Sequence, residues 1–453
     1  MKYPRHLKYK DSGIEWLGEV PEGWEIKRLK WVCDAFPSNV DKKSYDDGQP
    51  VSLCNYTDVY YNESITPALN FMAATATTEQ VIKFSLKSGD TIITKDSETA
   101  DDIAIAAYVP EDMPGVVCGY HLSIVRPKGK VCGAFIKNIF DSSYAKNKFA
   151  VLANGLTRVG LGQYALDNVE FPFPPLEEQQ AIAAFLDTET ARMDALIAEY
   201  ETLIDLLKEK RQALISQAVT KGLNPDVPMK DSGVEWLGEV PEGWKPIPLH
   251  SMSSDSNSLF TDGDWIESKD LSDTGIRYIT TGNVGEGFYK EQGAGFISEE
   301  TFVDLRCTKV KPGDILISRL NIPIGRSCII PEFFGYMVTS VDNVIFRPDR
   351  DFSRQFITYM LSSKAHLANM ENLARGTTMQ RISRSTLGSV KFCMPPPEEQ
   401  HAIVAFLDAE TARMDTLVQE AENGINLLRE RRMTLISDAV TGKIDVRDWK
   451  ETM

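Results

Sequence analysis

The stretch Ala-Arg-Gly-Thr-Thr-Met-Gln-Arg-Ile-Ser-Arg, 374–384, gathers Arg375, Arg381 and Arg384 with Gln380, Thr377 and Thr378 around a single glycine. Arginine presents a rigid fork of donors that fits the acceptor edge of guanine or a phosphate, and the glutamine amide matches adenine. Hydroxyls suit phosphate oxygens, and Gly376 permits the tight loop that would project these groups. A second stretch, Ser-Arg-Leu-Asn-Ile-Pro-Ile-Gly-Arg at 318–326, adds Arg319, Asn321 and Arg326 at the end of an expected strand. This is chemistry for holding an anion or reading a base edge. The bland reading of each stretch is a plain solvated loop.

Earlier in the chain, Asn-Gly-Leu-Thr-Arg-Val-Gly-Leu-Gly-Gln at 154–163 offers Thr157, Arg158 and Gln163, and Lys95 follows a short apolar run at 90–94. The Lys95 loop then turns acidic through Glu98, Asp101 and Asp102, which suits a phosphate less well. Bond-making chemistry is harder to find. No Gly-x-x-x-x-Gly-Lys-Ser/Thr phosphate loop occurs, and no Asn/Asp-Pro-Pro-aromatic run of the kind that grips an adenine amino group. Glu267-Ser-Lys269, with Asp262 and Asp264 upstream, has the spacing of some metal-dependent nucleases, but such a triplet arises easily by chance. His6, His121, His250, His366 and His401 are isolated in sequence, and seven scattered cysteines show no Cys-x-x-Cys pair. A structural zinc and a catalytic base are both unexpected, and the thiols fit a reducing cytoplasm.

The elements that would carry these loops are repeated. Asp-Ser-Gly-Ile-Glu-Trp-Leu-Gly-Glu-Val-Pro-Glu-Gly-Trp at 11–24 returns at 231–244 with only Ile14 changed, to Val234. Pro-Pro-Leu-Glu-Glu-Gln at 174–179 returns as Pro-Pro-Pro-Glu-Glu-Gln at 395–400, an offset of 221, and the likeness runs on to Val219-Thr220 and Val440-Thr441. Internal repetition at this scale decides the architecture. We delimit an arm at 1–24, a variable block at 25–173, a shared segment at 174–222, a repeated arm at 223–244, a second block at 245–394, a second shared segment at 395–443 and a tail at 444–453. Copies this long and this few do not make a solenoid.

Each shared segment reads as a long helix. A proline pair stops the preceding strand, two glutamates suit the positive helix end, and no further Gly or Pro interrupts the first copy before Lys221. Steps of four and three pick out Ile182, Leu186, Glu189, Met193, Leu196, Tyr200, Leu203 and Leu207 in the first copy. The same steps give Ile403, Leu407, Glu410, Met414, Leu417, Ala421, Gly424 and Leu428 in the second. This heptad seam predicts an antiparallel coiled coil of rods roughly 60 Å long, with small Ala421 and Gly424 facing bulky Tyr200 and Leu203. The alternative is two amphipathic helices, each lying on its own domain. The blocks between are rich in short apolar runs bounded by Gly, Pro and Asp, as at 313–318 and 344–348, with a helical spacing from Phe352 to Asn369. The expected fold class is therefore α+β: two α/β domains related by a pseudo-twofold and separated by two long helices.

Charge is distributed to match. The chain has 453 residues and a net charge of −16, which taken whole argues against a polyanionic partner. The two blocks carry only −3 and 0 of it. The acid lies in the repeated framework. No apolar run approaches the roughly 18 residues of a membrane span, and Met1 to Lys10 lacks the apolar stretch of an export signal.

On the duplicated Glu-Trp-Leu-Gly-Glu-Val-Pro-Glu-Gly-Trp, the two Pro-Pro-x-Glu-Glu-Gln helix starts and Gly-Thr-Thr-Met-Gln-Arg-Ile-Ser at 376–383, the chain resembles the specificity subunits of type I restriction-modification systems over nearly its whole length. The resemblance implies two target-recognition domains, each reading one half of a bipartite double-stranded DNA site in the major groove, with the coiled coil as the ruler between them. It also implies two methyltransferase subunits docked on the repeated framework, and motor-nuclease subunits joining for restriction. S-adenosylmethionine, ATP and magnesium would then belong to those partners, with no cofactor on this chain. Trp16, Leu17 and Trp24, with Trp236, Leu237 and Trp244, would anchor the framework; alternatively the tryptophans fill the core where each arm meets its own domain. A scaffold that joins proteins without touching DNA is the competing function.

Overall fold

A computed structural model describes residues 3–450 except 45, 47, 294, 334, 377 and 378. The chain divides into two units: residues 1–200 with 422–453, and residues 201–421. Each unit holds an arm, a variable block and a half of each long helix.

In the first unit the central sheet is four-stranded, in the order Ala106–Tyr108, Thr91–Thr94, Leu122–Pro127, Cys33–Pro37. All four residues of Thr91–Thr94 are buried, the pattern of a strand covered on both faces. Alternation explains how one strand serves two cores. Ile93 and Val125 face the helices, while Ile92, Leu122 and Ile124 face a second sheet of Met72–Ala76, Gln49–Cys54, Met113–Cys118 and Ser85–Leu86. Within that second sheet Gln49–Cys54 and Met113–Cys118 run parallel.

The second unit repeats this plan in a different sequence. Its sheet runs Leu259–Asp262, Asn343–Arg347, Ile315–Ser318, Ser327–Ile329. Ile315, Ile317, Val344 and Phe346 face one core, and Leu316 and Ile345 face the other. Ile276–Ile279 and Val338–Thr339 supply the parallel pair.

One charged device is common to both. Gly89 and Gly313 adopt positive φ, +89° and +79°, in the turn before the buried strand. The next residues, Asp90 and Asp314, are 0% and 1% exposed. Arg126 donates Nε and Nη2 to Asp90 at 2.8 and 2.7 Å, and Arg347 does the same to Asp314 at 2.7 and 2.7 Å. Each carboxylate also accepts a backbone amide, from Lys87 or Lys311. A bidentate pair this deep is stable because every lone pair facing the interior finds a donor.

The two shared segments form the helices Leu176–Lys221 and Pro397–Val440, of 46 and 44 residues. Within each unit their halves pair antiparallel. In the first, Arg432 reaches Asp194 at 3.3 Å and the Tyr200 ring lies against Gly424, where an added Cβ would sit 3.1 Å from it. In the second, Arg211 pairs with Asp415. The seam departs from the heptad expectation. Ile182, Leu186, Met193, Leu207, Ile403, Leu407 and Met414 are buried as expected, and Tyr200 and Leu428 are half-buried. Leu196 and Leu417 are 46% and 39% exposed, and Leu203 is 42% exposed. Ile204 and Ile425 take the inward places instead. A helix with 3.6 residues per turn drifts by about 20° per heptad, so a pattern read at fixed 3.5 spacing walks off the contact face.

Candidate nucleic-acid interface

In the second unit, Ile315–Ser318 delivers the chain into the 319–326 loop, and two buried arginines build that loop. Arg326 is 8% exposed. It donates Nε to the Val284 carbonyl at 2.8 Å, Nη1 to those of Asn321 and Pro323 at 2.8 and 2.9 Å, and Nη2 to that of Thr281 at 2.8 Å. Arg319, 5% exposed, donates to the carbonyls of Ile382 and Val341 and pairs with Asp262 at 3.0 Å. Burial lowers the pKa of both guanidinium groups. Expected as base readers, these two are the loop's internal scaffold. A planar five-donor group satisfies several converging carbonyls at once, which no lysine could do. Asn321 remains exposed, held at φ +63°.

The neighbouring loop is a hairpin closed by two backbone hydrogen bonds between Arg375 and Arg381, at 3.0 and 2.9 Å. Gly376 sits at φ +113° where a Cβ would meet the Met379 carbonyl at 2.5 Å, so glycine is required there. The hairpin is tied to the first loop by the Ile382 amide, which donates to the Arg319 carbonyl at 3.1 Å. The two stretches singled out in the sequence therefore form one surface, beside a groove of about 670 Å³. Arg381 pairs with Asp342 at 2.7 Å, and Arg384 lies 3.6 Å from Asp262 and donates to the Thr261 hydroxyl at 3.3 Å. Both side chains keep about two-fifths of their surface in solvent, at 44% and 45%. Arg375, Gln380 and Met379 are exposed. Among the described residues Arg375 has no ion-pair partner. Thr377 and Thr378 lie outside the described residues.

The first unit builds the same hairpin from other residues. Asn154 and Gly160 exchange backbone hydrogen bonds at 3.1 and 2.9 Å, and Gly155, at φ +149°, faces the Arg158 carbonyl as Gly376 faces that of Met379. The Leu161 amide donates to the Lys95 carbonyl at 2.9 Å, which makes Lys95 the counterpart of Arg319. Lys95 is half-buried, its Nζ 4.2 Å from the Tyr120 ring centroid and 3.4 Å from the Ser38 carbonyl, and burial lowers its pKa. Arg158 lies 3.4 Å from Asp96, whose carboxylate also meets His121 Nδ1 at 2.9 Å. Thr157 is exposed beside a fully exposed Leu156. The Gln163 amide is occupied, donating to the Ala35 carbonyl at 2.7 Å and to Asp167 at 2.8 Å. The solvent-facing cations of this hairpin thus reduce to Arg158.

Sequence reasoning missed that Asp262, Asp342 and Asp96 aim these cations. They lie far from their partners in the chain, and nothing in their local sequence marks the pairing. The Glu267–Lys269 triplet is an exposed pair 2.6 Å apart. Asp262 is engaged by arginines, and Asp264 accepts the Thr308 amide at 2.8 Å. Among the described residues the cluster with metal-ligand spacing is His6, Glu178 and Asp445 instead. His6 is thus isolated in sequence only.

The family model for the "Type I restriction modification DNA specificity domain" matches twice, at residues 21–204 and 241–427. The chain belongs to this family. Its relatives include the type I restriction enzyme EcoKI specificity subunit of Escherichia coli K12, 25% identical over 456 residues, covering 96% of this chain and 91% of the relative. The StySPI specificity subunit of Salmonella potsdam is 22% identical over 452 residues, with the same coverage of 96% and 91%. Among solved structures, a chain from a type I R-M system overlays with a TM-score of 0.69 at 18% identity, covering 93% of this chain and 98% of that one. The HsdS subunit from Thermoanaerobacter tengcongensis gives 0.56 at 18% identity, covering 94% and 98%. These likenesses confirm the α+β architecture with its paired long helices.

The repeated motifs of this specificity-family chain have a structural account. Gln179 and Gln400 are 4% and 2% exposed at the start of each long helix. Each donates to the proline carbonyl five residues back and accepts the backbone amide of Cys132 or Ser353, the cap of a block helix. Trp244 is 1% exposed and donates Nε1 to Glu399 at 3.2 Å. Trp24, also 1% exposed, lies in the core that contains Leu186 and Val440. Trp236 stacks edge-on against Phe392 at 5.4 Å, Leu237 joins the same core at its margin, and Leu17 is 8% exposed. Core filling therefore accounts for Trp24, Trp244 and Trp236. Trp16, 60% exposed, is the exception.

Proposed function

We propose that each block reads one half of a bipartite double-stranded DNA site, using the hairpin and strand-end loop that converge on it. The observation that carries this reading is the surface of the second unit. Arg375, Arg381, Arg384, Gln380 and Asn321 stand exposed on a loop pair whose interior is fixed by Arg319 and Arg326. Fixed donors with solvent-facing tips suit direct readout in the major groove, where arginine takes guanine and glutamine or asparagine takes adenine. In the first unit Arg158 and Thr157 take that role.

The reading extends to partners. Two methyltransferase subunits dock on the duplicated arms and helix starts, with exposed Trp16 as one contact, and restriction subunits join them. The long helices set the gap between half-sites. This chain performs no bond chemistry; S-adenosylmethionine, ATP and magnesium act on the partners, in the cytoplasm. No helix of the described residues is long and apolar enough to cross a membrane. The near-neutral blocks favour DNA reading over a DNA-free scaffold.

The test is to co-express the chain with its methyltransferase subunit and map methylated adenines across a genome, beside Arg375→Ala plus Arg381→Ala. A split motif of constant gap, relaxed in one half by the variant, is expected. A complex that forms yet methylates no bipartite motif would overturn the reading.

A further inference from the structure

The two units diverge at a place remote from both hairpins, where a block helix rests on the long helices. In the second unit, Tyr359 on Arg354–Leu361 is 9% exposed and donates its hydroxyl to Asp408 at 2.6 Å, with the Thr411 hydroxyl at 3.4 Å. Arg211 and Asp415 close the same spot from the two long helices.

In the first unit the residues that the long helices contribute recur, 221 residues away along the sequence. Asp187 stands for Asp408, Thr190 for Thr411, and Arg432 with Asp194 for Arg211 with Asp415. The tyrosine does not recur. Its place on Gly133–Asp141 is taken by Asn138, and Gln355, one turn before the tyrosine on Arg354–Leu361, is matched by Ala134. Two large side chains have become small ones, and a cavity of about 290 Å³ lies there, bounded by Asn138, Ala134, Asp187, Thr190, Tyr108 and Arg432. Asn138 is 6% exposed, and among the described residues its Nδ2 has no hydrogen-bond partner.

This cavity has several times the roughly 30 Å³ that one water occupies in the liquid. The second unit shows what fits: a flat ring carrying one hydroxyl, whose proton goes to the carboxylate.

We propose that this cavity binds a small phenolic ligand, a ring whose hydroxyl donates to Asp187 as Tyr359 donates to Asp408. The ring fills the volume left by the tyrosine and glutamine. Lys137, 9% exposed and paired with Asp141 at 2.6 Å and with Glu63, and Arg432, paired with Glu63 at 3.0 Å, line the cavity with charges that are already matched, which favours a neutral ligand over a charged one. The site is independent of the DNA reading and sits on the framework side of the block.

The test uses the full chain, with p-cresol as probe in calorimetry and 4-fluorophenol in fluorine NMR. One-to-one saturable binding is expected, with a dissociation constant on the order of 1 mM or tighter, as suits a ligand of about eight heavy atoms. Asn138→Tyr fills the cavity and is expected to weaken p-cresol at least about tenfold, the loss of one buried hydrogen-bonded ring. Should that variant not fold, Ala134→Gln narrows the cavity and Asp187→Asn weakens the acceptor, and each is expected to weaken binding several-fold. Absence of saturable binding by the parent, unchanged affinity in the variants that fold, or equal affinity for toluene would each overturn the proposal.

Discussion

The hairpins at 154–160 and 375–381 hang from equivalent backbone hydrogen bonds and turn on equivalent glycines, yet they present opposite surfaces. The second, with Arg384 just beyond it, offers three solvent-facing guanidinium groups, two of them steadied by Asp342 and Asp262. The first offers one, with a bare Leu156 at its tip and a histidine-carboxylate pair at its base. The position that carries Asp342 in one unit carries His121 in the other, since their carbonyls accept the amides of Arg319 and Lys95. The lesson is that the backbone of the loop is inherited and its side chains are free to vary. Two buried ion pairs, Asp90 with Arg126 and Asp314 with Arg347, hold the strands beneath and leave the tips out of the folding problem.

That separation is broken most severely at the ion pairs. Asp314→Ala leaves the Arg347 guanidinium without its carboxylate and is expected to cost about 3–5 kcal/mol, in the second unit alone. Asp90→Ala does the same to the first. Thermal unfolding followed separately in each unit, by hydrogen exchange, checks that each substitution lowers protection on its own side.

Acid distinguishes the units next. His366 is fully buried in the second, and burial pushes its pKa down to about 4; the equivalent position in the first unit is Ala145. An unfolded histidine titrates near 6.5, so the unfolded chain binds a proton that the folded one refuses. Stability is full above about pH 6.5 and falls as pH drops toward 4, by up to about 3 kcal/mol in the second unit. Denaturant midpoints measured across that window should flatten for His366→Ala, apart from background shared by both units. An unchanged slope would show that His366 does not carry the effect.

The exposed arginines are expected to matter less to affinity and more to selectivity. Arg375→Ala should forfeit about 1–3 kcal/mol of discrimination at one position of the second half-site and leave the first untouched. Competition binding against single-base variants of the mapped motif reads this directly. Loss spread evenly over both halves would mean that Arg375 meets phosphate.

The smallest effect lies on the long helices. Leu196→Gln and Leu417→Gln, equivalent and exposed, are expected to stay within about 0.5 kcal/mol of the parent. Ile204→Ala and Ile425→Ala, on the buried face, are expected to cost about 2–5 kcal/mol. Urea midpoints of the four variants separate the observed seam from the heptad one.

Much of the framework was legible in advance because its determinants are local and written twice. The proline pair, the two glutamates and the glutamine mark each helix start, and the duplicated arm announces a duplicated plan. The seam was legible as far as Met193 and only in part beyond it, at Tyr200 and Leu207, because Leu196 and Ile197 are both apolar and only the partner helix decides which turns inward. The candidate interface was legible as segments: 318–326 and 374–384 do converge. The duties of individual side chains were not. Arg319 and Arg326 have the composition of base readers, and a sequence shows donors without showing the carbonyls of Ile382, Val341 or Thr281 that consume them. The shared topology of the blocks was hidden for a related reason, since strands such as Thr91–Thr94 and Ile315–Ser318 need only fit two apolar faces, which many sequences do.

The glutamines at the helix starts carry one more implication. Gln179 and Gln400 clasp a block by a backbone amide, that of Cys132 or Ser353, and every residue but proline supplies the same amide there. The clasp is therefore blind to the identity of what it holds. Because the fourteen-residue arm and the helix start are nearly identical in both copies, a genetic crossover within them would trade an entire block without leaving a mismatched joint. A lineage carrying this chain can acquire a new half-site in one recombination event, where remodelling a loop by point substitution would take many.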